Sequence, residues 1–150
     1  MTKQAQINED IKTAMKAKNE LALRVLRQLK SAVSNAALQS GNMNTPVGDM
    51  EVIGIIRKQI KQREDSAAQY ITGNRQELAD IENQEKDILV TFLPKGLTDS
   101  EVDELIDSSI KELSASTKKD MGKVIKRVVE LVAGRADSKL ISQKVATKLQ

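Results

Sequence analysis

Apolar side chains recur along this chain at intervals of three and four residues, and nowhere do they alternate at a period of two. That spacing collects them on one face of an α-helix and argues against a half-buried strand. The expected fold is therefore all-α. Ile7, Ile11, Ala14 and Met15 mark a first helix, which lapses near Lys18. Asn19 is placed to cap a second, in which Ala22, Leu26, Leu29, Val33 and Ala36 share one face and Arg24, Arg27 and Ser31 another. Residues 41–48, polar and bounded by glycines, read as a loop. Thr45-Pro46 reads as the start of a third helix, because proline at the first position lacks an N–H that would be unpaired anyway. That helix turns Val52, Ile56, Ile60, Ala67 and Ile71 inward and Arg57, Lys58 and Lys61 outward.

Gly73-Asn74 breaks the third helix. Asn74 then has Glu77 three residues on, the spacing of a capping box. A fourth helix carries Leu78, Ile81, Ile88, Leu89 and Phe92. It ends at Leu93-Pro94-Lys95-Gly96, since proline holds the preceding residue away from helical geometry. A boundary here gives an N-terminal long-helix subdomain, residues 1–94, and a compact three-helix tail, residues 95–150. Residues 94–97 offer few apolar anchors, so the two parts are expected to shift relative to each other. In the tail, Thr98-x-x-Glu101 and Thr117-x-x-Asp120 each open a helix with a capping-box spacing. Val102, Leu105, Ile106 and Ile110 share the face of the first, and the last helix runs from about Asp137 through Leu140, Ile141, Val145 and Leu149. Between them, Met121 to Leu140 reads as a basic amphipathic helix, a break and the start of another basic helix. Gly134 stands where a left-handed C-terminal residue belongs, and Asp137 where an N-cap belongs.

Composition narrows the chemistry. Tyr70 and Phe92 are the aromatic residues of the whole chain. The core must therefore come from Leu, Ile, Val, Ala and Met, which suits helix bundles better than sandwiches. Cysteine and histidine are absent. That removes disulfides, thiolate or imidazole metal sites, and Ser-His or Cys-His catalysis. Acid–base work would fall to carboxylates, lysines or Tyr70. The glycines are isolated, so there is no phosphate-cradling loop of the kinase or NTPase kind. No cofactor, metal or catalytic residue is expected. No apolar run is long enough for a membrane, the N-terminus has no signal-peptide core, and Glu9 and Asp10 disfavour a transit peptide; the expected location is the cytoplasm.

The net charge of +3 hides three blocks. Residues 1–63 hold eleven basic and five acidic side chains, residues 77–112 three basic and eleven acidic, and residues 113–150 nine basic and three acidic. Such blocks serve polyanion binding at the basic ends or internal attraction between the acidic middle and its neighbours. Glu85 falls on the apolar stripe between Ile81 and Ile88. A buried carboxylate needs a partner, and Arg24, Arg27 or Lys61 are the candidates. Gly122, in the first turn of a helix, suggests close approach by another helix.

Several segments in order resemble the YqeY family. They are Leu26-Arg27-Gln28-Leu29-Lys30-Ser31-Ala32-Val33, then Ile60-Lys61-Gln62-Arg63 with Ser66, then Asn74-Arg75-Gln76-Glu77-Leu78-Ala79 with Glu82 and Glu85. Phe92-Leu93-Pro94, Asp120-Met121-Gly122-Lys123-Val124 and Ala133-Gly134-Arg135-Ala136-Asp137 complete the set. Phe92 stands for a usual tyrosine, Ile125 for a usual methionine and Ser138 for a usual glycine. The resemblance implies a helical tail domain like the one with which the tRNA-dependent amidotransferases help hold tRNA. It also carries the amidotransferase-like label, a carbon–nitrogen ligase with glutamine as amido donor, but no nucleophile network for that reaction is present in the residues.

Lys119, Lys123, Lys126, Arg127, Arg135, Lys139 and Lys144 are the candidate nucleic-acid contacts. The residues alone favour a merely solvated helix face; the resemblance brings phosphate contact level with it. The leading expectation is a non-catalytic module for tRNA or an aminoacyl-tRNA enzyme. The alternative is a protein adaptor whose basic tail meets an acidic partner without RNA.

Overall fold

Short polar side chains start most of the helices, and the apolar stripes between those caps decide what each helix buries. The structure, a computed structural model, describes residues 2–41 and 47–149. Among these residues the chain forms seven α-helices and no strand: α1 (Lys3–Lys16), α2 (Glu20–Ser40), α3 (Asp49–Thr72), α4 (Gln76–Val90), α5 (Asp99–Glu112), α6 (Met121–Val132) and α7 (Ser138–Lys148). A 3₁₀ turn, Lys118–Asp120, leads into α6. The fold is all-α.

The chain divides into two compact units, Met1–Leu93 and Pro94–Gln150. In the first, Ile7 and Ala14 of α1, Val25, Leu26, Leu29 and Val33 of α2, Val52 and Ile56 of α3, and Leu89 and Phe92 at the end of α4 form one core. Ile71 and Ile81, expected inside, are 53% and 40% exposed, and Met15 is 53% exposed. Ile71 and Ile81 fall outside the shared core because they lie toward the turn end of the α3–α4 hairpin, away from the core residues of α1 and α2. The side-chain oxygen of Asn19 caps α2 by accepting from the Ala22 N–H at 3.1 Å, as its position predicts.

Two expected helix starts differ. Thr45-Pro46 lies outside the described residues; α3 has Asp49 as its first residue and Gly48 as its N-cap. Asn74 does not form a capping box with Glu77. It takes a left-handed φ of 58° inside the turn, and Arg75 is the N-cap of α4 without a side-chain cap bond. The turn is closed instead by the Arg75 N–H donating to the Tyr70 carbonyl at 2.7 Å. A single asparagine cannot both turn the chain and cap the helix, and here the tight turn wins.

In the second unit, Val102 and Ile106 of α5, Val124, Val128 and Val132 of α6, and Ile141, Val145 and Leu149 of the α7 region form the core. Leu131, near the end of α6, is 41% exposed. Thr98 and Glu101 make the predicted capping box. Thr117 and Asp120 do not: the Asp120 carboxylate accepts from the Ser116 N–H at 3.1 Å, one residue earlier than the box requires. Inside this unit the Leu97 N–H donates to the Arg135 carbonyl and Arg135 Nε to the Lys95 carbonyl, both at 2.9 Å.

The corner between α6 and α7 turns on Ala133 and Gly134, with φ of 48° and 82°. Asp137 caps α7, its carboxylate accepting from the Lys139 N–H at 3.1 Å. Gly122, by contrast, is not a packing glycine. A β-carbon there would meet nothing within 4 Å. Gly134→Ala should therefore destabilise the tail by about 1 kcal/mol, the order of cost of a left-handed β-carbon. Gly122→Ala should stabilise it by up to about 1 kcal/mol, by helix propensity alone. Denaturant midpoints of the two variants check both signs.

Candidate functional site

Charge gathers in two places, a buried junction in the first unit and a basic face on the tail. Glu85 stands on α4 beside Leu89, with only 8% of its surface exposed. Arg24 Nη2, from α2, donates to its Oε1 at 2.6 Å. Arg63 Nε, from α3, donates to its Oε2 at 3.2 Å. Arg63 is itself 8% exposed and uses Nη2 to donate to Gln28 Oε1 on α2 at 2.7 Å. One carboxylate thus joins three helices.

Of the expected partners, Arg24 is the right one. Lys61 and Arg27 are exposed and make no ion pair with Glu85. Arg63 escapes the sequence reading because its charge places it outside the apolar count. Its spacing is the signal that could have found it: Ile56, Ile60, Arg63 and Ala67 step by four, three and four, which keeps Arg63 on the inward stripe.

The seven basic tail residues separate by what they touch. Lys144 Nζ pairs with Asp103 at 3.1 Å, and the neighbouring Lys148 with Asp107 at 2.7 Å. Both pairs span 41 residues, so α5 and α7 run in the same direction, one turn of each matched to one turn of the other. The hydrogen bond to Asp107 is the main cause that raises the pKa of the Lys148 ammonium; desolvation works against it, and the attraction of Asp107 and Asp103 adds to the rise. Arg127 pairs with Glu112 at 3.5 Å and Glu130 at 3.7 Å. Arg135 holds the Lys95 carbonyl. Lys119, Lys123, Lys126 and Lys139 are exposed and have no ion-pair partner among the described residues. These four ammonium groups remain open to an outside anion. Lys123 and Lys126 lie one turn apart on α6, and Lys119 lies in the 3₁₀ turn that leads into it.

A family model described as Yqey-like protein matches residues 4–149. The chain belongs to the YqeY-like family. The resemblance carried by the motifs from Leu26 to Asp137 is thus one of membership. Among curated relatives, a protein of Pyrenophora tritici-repentis named "Altered inheritance of mitochondria protein 41, mitochondrial" is 31% identical over 142 residues, covering 93% of this chain and 76% of the relative. The protein of that name from Vanderwaltozyma polyspora is 33% identical over 87 residues, 58% of this chain and 46% of the relative. That from Clavispora lusitaniae is 31% identical over 110 residues, 71% of this chain and 62% of the relative. The chain therefore spans roughly half to three quarters of the relatives it matches.

These names overturn the cytoplasmic location expected from the N-terminal residues, because the relatives of this YqeY-like chain are named as mitochondrial proteins. The inference failed because the lack of a leader pattern at one end of a sequence is not an address. Among the described residues no helix is long and apolar enough to cross a membrane.

The buried junction yields a stability test. Glu85→Ala strands Arg63, 8% exposed, and should cost about 3 kcal/mol, the scale of a broken buried pair. Glu85→Gln keeps the volume and an acceptor oxygen and should cost less. Arg24→Ala, removing the half-exposed partner, should cost under about 1 kcal/mol. Urea midpoints for the three variants give the order directly.

Proposed function

We propose that this YqeY-like chain is a non-catalytic accessory module that binds tRNA, or an enzyme of aminoacyl-tRNA metabolism, through the lysines of its tail. The observation that carries the reading is the exposed set Lys119, Lys123, Lys126 and Lys139, unpaired among the described residues while neighbouring basic groups are used within the chain. Exposed ammonium groups on adjacent turns suit a phosphate backbone, where each contact releases a condensed cation. The tail has no aromatic residue to stack on a base. Recognition there would follow backbone and shape rather than sequence. The likeness of this tail to the tRNA-holding tail domain of the amidotransferases supports the choice of tRNA.

A second reading, an adaptor for an acidic protein, is favoured by Leu131 and Leu113, 41% and 39% exposed at the ends of α6 and α5. Exposed apolar groups suit a protein surface better than a phosphate chain.

Titration of labelled tRNA at several salt concentrations separates the two. Four phosphate contacts predict a log–log slope of about three to four units. Changing both Lys123 and Lys126 to Gln should remove about two units, with stability shifted by less than about 0.5 kcal/mol. Lys144→Gln should leave the slope unchanged and cost stability, up to about 1 kcal/mol. A flat salt response in the parent removes the RNA reading. Under the adaptor reading, tRNA does not bind at physiological salt and the Lys123/Lys126 variant loses an acidic protein partner.

A further inference from the structure

The junction around Glu85 has a surplus of charge and a direction that the tail reading does not use. Two guanidinium groups, of buried Arg63 and half-exposed Arg24, share one carboxylate, which leaves the junction with a net positive charge. The hydrogen bonds also run one way. Gln28 Oε1 accepts from Arg63, so the amide nitrogen of Gln28 is left with two N–H donors turned from Arg63. Arg24 spends Nη2 on Glu85 and keeps Nε and Nη1 as donors.

These side chains stand on the polar stripe of α2, opposite its core residues. Arg24, Arg27, Gln28, Ser31 and Asn35 follow one another at helical spacing. They line an open groove of about 740 Å³, with Glu20 as the carboxylate at one end. Arg27 is exposed and has no ion-pair partner among the described residues. Guanidinium, amide and hydroxyl groups stand along this groove between the apolar side chains of Leu23 and Ala32, and Glu20 is its one carboxylate. Arg24 and Arg27 outnumber Glu20, and an oxyanion would balance the surplus and accept from the guanidinium, amide and hydroxyl donors. Two planar guanidinium forks one turn apart suit a group with several oxygens around one or two centres more than a single carboxylate.

We infer that this groove binds the phosphate or pyrophosphate group of a small molecule, with Arg24 and Arg27 as the anion contacts, Gln28 and Ser31 as neutral donors, and Glu85 and Arg63 as positioning residues. The site lies in the first unit and does not depend on the tail lysines.

The test is an amide NMR titration of the full chain with inorganic pyrophosphate. Saturable shifts are expected at residues 24–35 of α2. Arg27→Gln should weaken binding by about tenfold, the loss of one charge-assisted contact. That exposed substitution should leave the denaturant midpoint in place, and the variant with Lys123 and Lys126 changed to Gln should bind pyrophosphate as the parent does. Shifts confined to the tail, or rising linearly without saturation, overturn the proposal. So does an α2 response to a short RNA in the absence of any response to pyrophosphate, which would make the groove part of a nucleic-acid surface. Failure of tRNA to bind the tail bears only on the reading of the tail, and pyrophosphate binding to α2 only on the groove.

Discussion

Glu85 fits into the seam between α2, α3 and α4 because Arg63, equally buried, and Arg24, half exposed, both donate to it. A carboxylate at that position without partners would cost several kcal/mol of desolvation. The same bonds fix where α2 stands against the α3–α4 hairpin, because a guanidinium fork meets a carboxylate only over a narrow range of distance and angle. The apolar core of the first unit supplies most of the burial, yet aliphatic side chains alone tolerate sliding of one helix along another. The junction supplies direction, and through Gln28 it orders the polar stripe of α2 as well.

The same logic of internal pairing runs through the tail. The acidic stretch before residue 113 looks, in composition, like half of an electrostatic partnership, and much of it is spent close to home. Asp103, Asp107 and Glu112 of α5 meet Lys144, Lys148 and Arg127. What counts for an outside polyanion is then not the nine basic residues of 113–150 but those left over after this pairing. Lys118, Lys119, Lys123, Lys126 and Lys139 are that remainder among the described residues, gathered around α6, the 3₁₀ turn before it and the start of α7. Arg127, Arg135 and Lys144 have the right chemistry for phosphate but are engaged in building the unit.

Much of the fold is legible in the sequence because helical periodicity and caps are local. Asn19, Thr98 with Glu101, Gly134 and Asp137 do what their positions imply, since each acts within a few residues of itself. Legibility ends where two local demands compete or where a distant element decides. Asn74 has the position of a cap and serves as the turn. Ile71 and Ile81 keep the helical period and are nonetheless exposed. Gly122 has the place of a close approach and faces open space. Arg63 is hidden by its charge, although its place on the stripe is visible. For the tail, the sequence names the basic residues but cannot divide them, because their acidic partners lie 15 and 41 residues away.

Belonging to the YqeY-like family sets the fold and the order of the motifs; what the molecule binds rests on which charges the fold consumes and which it leaves. In the first unit that division depends on the coupling at Glu85. A double-mutant cycle of Glu85→Ala and Arg63→Ala, followed by urea unfolding, measures it most directly. The account predicts a coupling energy of about 1–3 kcal/mol between the two residues. Effects that add to within about 0.5 kcal/mol would contradict it, showing that the two groups stabilise the bundle independently.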